Sequence, residues 1–176
     1  MNMVDITVKK MKANLANLIT LGNISFGGAA LMATINESYG YAVLFILIAA
    51  LLDRYDGKVA RKYNLESELG KQLDSMSDII SFGVAPAVLM YEVELTAYGN
   101  LGMVIAVLYI ACGAFRLARF NVTESNGYFT GLPITAAGAI LTISFFFSPW
   151  LSTAFYVVLF PLLAILMISN FSLKKV

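Results

Sequence analysis

The chain has 176 residues, the size of one domain, and its 59% hydrophobic content and mean hydropathy of +0.77 place it among proteins that cross a membrane several times. With no histidine and a single cysteine, Cys112, in an apolar stretch, it excludes histidine catalysis, histidine or cysteine metal ligation and a disulfide framework. The formal net charge is only +1, so the information lies in where the charges sit.

Residues 1–13 are basic through Lys9, Lys10 and Lys12 and amphipathic. They read either as a short helix along an anionic membrane surface or as a charged tail. They lack the apolar core and small-residue cleavage site of a signal peptide, so the segment is expected to stay on the chain. Residues 14–176 are expected to form one all-α domain, a polytopic bundle of six transmembrane helices at about 14–35, 38–62, 68–91, 98–117, 131–147 and 150–171. The first span carries Asn17, Thr20 and Asn23 among Gly22, Gly27, Gly28, Ala29 and Ala30. Small residues let helices approach closely and polar ones bond between them, so packing is one sufficient account of this stripe.

The second and third spans bracket the segment Asp53–Asp78. Asp53 and Asp56 are spaced i,i+3 and Asp74 and Asp78 i,i+4, so on helices each pair shares one face. The apolar runs leading in and out, Tyr41–Leu52 and Ile79–Met90, are twelve residues each, the second interrupted by Ser81 and Pro86. As an antiparallel hairpin they set Asp53 level with Asp78 and Asp56 roughly level with Asp74. Each run rises about 18 Å, short of a hydrocarbon core about 30 Å thick, so the carboxylates are expected below one membrane surface, inside the bundle. A solvated loop is the plain alternative, yet acids paired at helical spacing between spans are not its pattern, and ionisable groups in a membrane mark function. Repulsion among four carboxylates is relieved by divalent cations, and hard oxygen ligands select Mg²⁺, Mn²⁺ or Ca²⁺. Gly57 follows a carboxylate, where a missing side chain lets a phosphate approach the backbone. Arg61, on the same face, can clamp a diphosphate. Gly57 and Gly70 equally suit packing, Lys58 and Lys62 read as headgroup or solvent contacts, and Pro86 is expected to kink the third span.

The fourth span ends in Arg116 and Arg119, i,i+3 on the last turn, which suit a membrane anchor or an anionic ligand. The polar segment 121–130 precedes a fifth span opening on Gly131-Leu132-Pro133, and the sixth is apolar apart from Pro161. All twelve basic residues fall on one side of this arrangement, and none lies near 36–40, 92–100 or 148–153. The positive-inside rule then predicts cytoplasmic termini and a cytoplasmic carboxylate cluster.

The residues Asp53, Asp56, Gly57, Ala60, Arg61, Gly70, Asp74 and Asp78 follow the pattern D-x2-D-G-x2-A-R-x8-G-x3-D-x3-D without departure. This resembles the CDP-alcohol phosphatidyltransferase family. The flanking words SFGVAPA (Ser81–Ala87), FRLARFN (Phe115–Asn121) and GLPITAAG (Gly131–Gly138) resemble its bacterial and archaeal serine-using branch. The resemblance implies a CDP-diacylglycerol–serine O-phosphatidyltransferase acting on CDP-diacylglycerol, or an ether-lipid equivalent, and L-serine. It further implies two divalent cations, Mg²⁺ or Mn²⁺ with Ca²⁺ in substitution, held by Asp53, Asp56, Asp74 and Asp78. Asp78 is implied as general base, and Asn17, Thr20, Asp56, Gly57, Ala60, Arg61 and Gly70 as the CDP-lipid site. For Arg116 and Arg119 the expectation is the serine carboxylate or a phosphate. A homodimer among membrane lipids is expected, and no nucleic-acid partner. Glycerol-phosphate or inositol-phosphate acceptors stay open, though a second phosphate asks for more cations than one Arg pair. A cation-coupled transporter would also keep buried acids, but would not need these Gly and Arg intervals and often shows internal repeats.

Overall fold

A bilayer requires each spanning segment to satisfy its own backbone hydrogen bonds, and the apolar runs of this chain do so as helices. The computed structural model describes residues 3–63, 67–122, 128–170 and 172–174; the side chains of 3–16, 56, 59–63, 128–130 and 172–174 lie outside that description. Helix α1 (Met3–Ile35) turns through 36–38, where Glu37 takes a φ of 56°, into α2 (Tyr39–Tyr63). Next come α3 (Glu68–Asp78), a π-helical segment (Ile79–Val84) and α4 (Ala85–Val93), continuous as one rod. A 3-10 turn, Leu95–Tyr98, leads to α5 (Asn100–Val122). Helix α6 (Ile134–Ser144) is extended by the 3-10 turn Phe145–Phe147, and α7 (Thr153–Ile168) follows.

The fold is therefore helical, with six helical runs near the expected positions. Among the described residues three helices are long and apolar enough to cross a membrane: Asn17–Ile35 within α1, Glu68–Val93 and Asn100–Val122. Ile134–Phe147 and Thr153–Ile168 are apolar but shorter, and α2 turns polar from Asp53 onward. Three features go beyond the sequence reading. Helix α1 runs unbroken across the boundary expected at 13/14. Helix α5 continues past residue 117 to Val122, so Asn121 is helical rather than part of the polar connection. A two-stranded antiparallel pair, β1 (Tyr128–Thr130) with β2 (Ser172–Lys174), sets Tyr128 opposite Lys174. Segments too short to close a helix still have backbone groups to pair, and they pair with each other.

Between helices in lipid, close packing replaces the hydrophobic drive, so small residues decide where backbones meet. A Cβ on Gly27 of α1 would run into Ser81 of the π segment, and one on Gly138 of α6 into the Phe82 carbonyl. Ser77 and Ser81 donate to the Thr20 and Asn23 carbonyls of α1 at 3.4 and 3.2 Å. The fully buried aromatics Phe82, Tyr109, Tyr156 and Phe160 fill the centre, with Tyr109 edge-on to Phe160 at 5.5 Å. The interruption expected at Pro86 is a π segment rather than a simple break. Proline has no N–H for the carbonyl four residues earlier, and the preceding turn widens, with Ala85 N–H reaching the Ile80 carbonyl.

Candidate active site

Three elements meet at the end of the bundle where the charges are. Asp53 lies on α2, where the apolar run gives way to the charged one, half-buried. Asp74 and Asp78 project from one face of α3, Asp74 exposed and Asp78 at the junction with the π segment. Ser67 caps the start of α3, accepting from Gly70 N–H at 3.0 Å, which anchors the helix just ahead of its acids. Arg116 arrives from α5 in the last two turns before Val122.

Oxygens of Asp53, Asp74 and Asp78 all lie within 4.8 Å of one another. The Asp53 and Asp78 carboxylates face each other within hydrogen-bonding reach, and Asp74 and the Arg116 guanidinium are the next charges acting on Asp78. Asp78 Oδ1 is buried with no hydrogen-bond partner. Arg116 is 7% exposed, its Nε also buried and unpartnered, its guanidinium 5.6 Å from the Phe120 ring centre. A buried polar atom left unpaired costs about 1–3 kcal/mol, more when charged, so these two atoms mark a site built for groups that complete it. Three converging carboxylates form an all-oxygen donor set that fits a hard divalent cation.

The other expected residues divide by position. Asn17 Oδ1 lies 3.5 Å from where a Gly70 Cβ would stand, so α1 and α3 touch at the mouth of the site. Thr20 is buried one turn deeper in the same contact, and Gly57 lies one turn beyond Asp53. The backbones of Asp56, Ala60 and Arg61 are in α2, but their side chains fall outside the described residues. Arg119 reaches the end of α7, donating to the Ile168 carbonyl at 3.2 Å, the Ser169 carbonyl at 3.1 Å and Asn170 Oδ1 at 3.0 Å. Gly131 sits against the same helix end with φ of 74°, where any Cβ would strike the Met167 carbonyl, and Leu132 N–H bonds the Leu166 carbonyl at 2.9 Å. The two arginines expected as a pair thus diverge, one to the acids and one to the α7 C-terminus.

Two contacts escaped the sequence reading. Asn121 Nδ2 donates to Ser75 Oγ at 2.9 Å, tying the end of α5 to α3 between its two acids. The Tyr109 hydroxyl donates to the Phe82 carbonyl at 3.2 Å. The second had a signal: a tyrosine in an apolar span needs an acceptor, and Pro86 leaves one four residues before it.

Comparison with known proteins gives the chain its family. Residues 13–171 match the family model described as CDP-alcohol phosphatidyltransferase. The chain is 41% identical over 134 residues to the CDP-diacylglycerol–serine O-phosphatidyltransferase of Bacillus subtilis, covering 75% of this chain and 76% of that one. It is 36% identical to the archaetidylserine synthase of Methanothermobacter thermautotrophicus, over 92% of this chain and 70% of that protein. The corresponding serine O-phosphatidyltransferase of Helicobacter pylori strain 26695 is 33% identical over 88% of this chain and 69% of its own length. A family model matched along nearly the whole chain establishes this protein as a member of the CDP-alcohol phosphatidyltransferase family.

Proposed function

We infer that the protein is a CDP-diacylglycerol–serine O-phosphatidyltransferase, which transfers the phosphatidyl group of CDP-diacylglycerol, or of its ether-linked counterpart, to L-serine and releases CMP. The observation that carries the reading is the convergence of Asp53, Asp74 and Asp78 beside the buried Arg116. Relatives named for serine transfer, at 31–41% identity over most of the chain, support it.

Asp53, Asp56, Asp74 and Asp78 are the residues that would hold divalent cations, Mg²⁺ or Mn²⁺. Such ions supply neutralisation of a diphosphate and stabilisation of a leaving phosphate. The chain's own residues do the rest. Gly57, Ala60, Arg61 and Gly70, with Asn17 and Thr20, hold the CDP portion: Gly70 and Asn17 stand together at the mouth, and a guanidinium suits a diphosphate. Arg116 binds the serine carboxylate, its unpartnered Nε facing a low-dielectric site. Asp78 accepts the proton of the serine hydroxyl as the Oγ–phosphorus bond forms and the bond from phosphorus to the CMP oxygen breaks. Arg119, given its hydrogen bonds to the end of α7, supports the site rather than touching substrate. In this reading six spans cross a cell membrane with both termini and the site on the cytoplasmic face, where nucleotide and serine are supplied, and the protein works as a homodimer.

The test is CMP release from CDP-diacylglycerol by purified protein, with and without serine and with and without Mg²⁺ or Mn²⁺. Release that needs both serine and the ion is expected, and chelation should abolish it without unfolding the helices. Release driven by glycerol phosphate or inositol phosphate instead would replace serine as the acceptor.

A further inference from the structure

The π segment Ile79–Val84 begins at the residue after Asp78, and its cause lies within it and just beyond. In an α-helix the Phe82 carbonyl would accept from residue 86, but residue 86 is proline. Phe82 is fully buried in the centre of the bundle, where no water can stand in for the N–H that Pro86 lacks. The Tyr109 hydroxyl supplies it from α5, at 3.2 Å, with the tyrosine itself 0% exposed and its ring held edge-on by Phe160 of α7. From the other side, Gly138 of α6 lets that helix lie directly on the same carbonyl. One backbone oxygen is therefore met by two neighbouring helices, α5 and α6.

The two ends of this contact lead to the site. Phe82 is four residues from Asp78 along the rod, about one turn, and Tyr109 is seven residues from Arg116 along α5, about two turns. Tyr109, Gly113 and Arg116 share the buried face of α5, and the Cβ that Gly113 lacks would meet Ile134 of α6, which also packs on Gly83 of the π segment. A π turn changes the rotational phase of everything on one side of it relative to the other. The phase of Asp78 about the rod axis, and its height relative to Arg116, are thus both referred to the Tyr109–Phe82 hydrogen bond.

We propose that Tyr109 is a positioning residue for the transfer reaction: its hydroxyl, by bonding the Phe82 carbonyl that Pro86 cannot serve, holds the π segment in the register that sets Asp78 against Arg116. The proposal rests on the roles assigned above to Asp78 and Arg116.

Tyr109→Phe removes the hydroxyl and keeps the ring against Phe160. Four readouts are taken on the purified full chain: kcat and KM for serine, KM for CDP-diacylglycerol, affinity for CDP-diacylglycerol without serine, and thermal unfolding of the metal-free protein. The expected result is a loss of ten-fold or more in kcat/KM for serine, with CDP-lipid KM and affinity within about two-fold of wild type. Phe160→Leu is the packing control: it loosens the ring but leaves the hydroxyl, and should lower the unfolding temperature while sparing serine kinetics. Gly138→Ala, which presses on the same carbonyl, should reproduce the serine defect. Serine kinetics within two-fold of wild type in Tyr109→Phe would overturn the proposal, as would a loss shared equally with CDP-lipid binding or matched by Phe160→Leu. Asp78→Asn run in parallel separates this from the underlying assignment. If it is inactive while Tyr109→Phe is normal, only the positioning role fails; if it turns over normally, the assignment of Asp78 falls and the positioning role with it.

Discussion

Asp78 and Arg116 each keep one buried atom without a partner, and unlike Asn23, whose buried amide is likewise unpartnered, both are ionisable. Ser77 and Ser81 spend their hydroxyls on carbonyls of α1, and Arg119 spends its guanidinium on the end of α7. Asp78→Asn preserves shape and removes basicity. A positioned base contributes about 10²–10⁴-fold, so kcat should fall by that order while CDP-diacylglycerol still binds. Near-normal turnover would take the base role away from Asp78. Arg116→Ala removes a charge-assisted contact worth about 1.5–3 kcal/mol, so the KM for serine should rise roughly ten- to a hundred-fold with CDP-lipid binding largely intact. Arg119→Ala should behave differently. It uncaps α7 and should lower the unfolding temperature, leaving the serine KM of the folded protein close to wild type. A serine KM raised equally by both substitutions would restore the arginines as a pair.

At the scale of elements, contact between α1 and the π segment depends on Gly27, because a Cβ there would meet both the side chain and the backbone of Ser81. Gly28, its neighbour, has open space where a Cβ would stand. Gly27→Val should therefore cost at least the 1–3 kcal/mol typical of overpacking and push α1 away from Ser77 and Ser81. Gly28→Ala should be neutral or slightly stabilising, since alanine in a helix is favoured over glycine by about 1 kcal/mol. Thermal unfolding in detergent of the two variants checks both. Equal behaviour would mean that α1 does not seat on the π segment through Gly27.

For the whole molecule, one end of the bundle collects Asp53, Asp74, Asp78, the α5 arginines and the α7 C-terminus, while the opposite end carries the connections 36–38 and 94–99 and, among the described residues, no basic one. With the positive-inside rule this predicts that a cysteine at Glu92, an exposed position near that opposite end, reacts with an impermeant thiol reagent only from outside the cell in a Cys112→Ser background. Labelling only from the cytoplasm would invert the topology and move the site to the other face.

The sequence alone pointed to the family through its motif, and to the helical class and the approach of Asp53, Asp74 and Asp78, because helical spacing fixes which residues share a face and apolar length fixes which segments become helices. It also placed the interruption near Pro86, since a missing N–H is a local property. What it left undecided was pairwise and distant. Arg116 and Arg119 are three residues apart and look alike in the chain, yet their neighbours lie on different helices, so only packing sends one towards Asp78 and the other to the end of α7. Gly27 and Gly28 are indistinguishable as neighbours until another backbone lies against one of them. Tyr109 could be expected to need an acceptor, but that its acceptor is the Phe82 carbonyl, one turn beyond Asp78, depends on how α5 sits against the π segment. That register is set by the close contacts of Gly113 and Gly138, which belong to the tertiary structure.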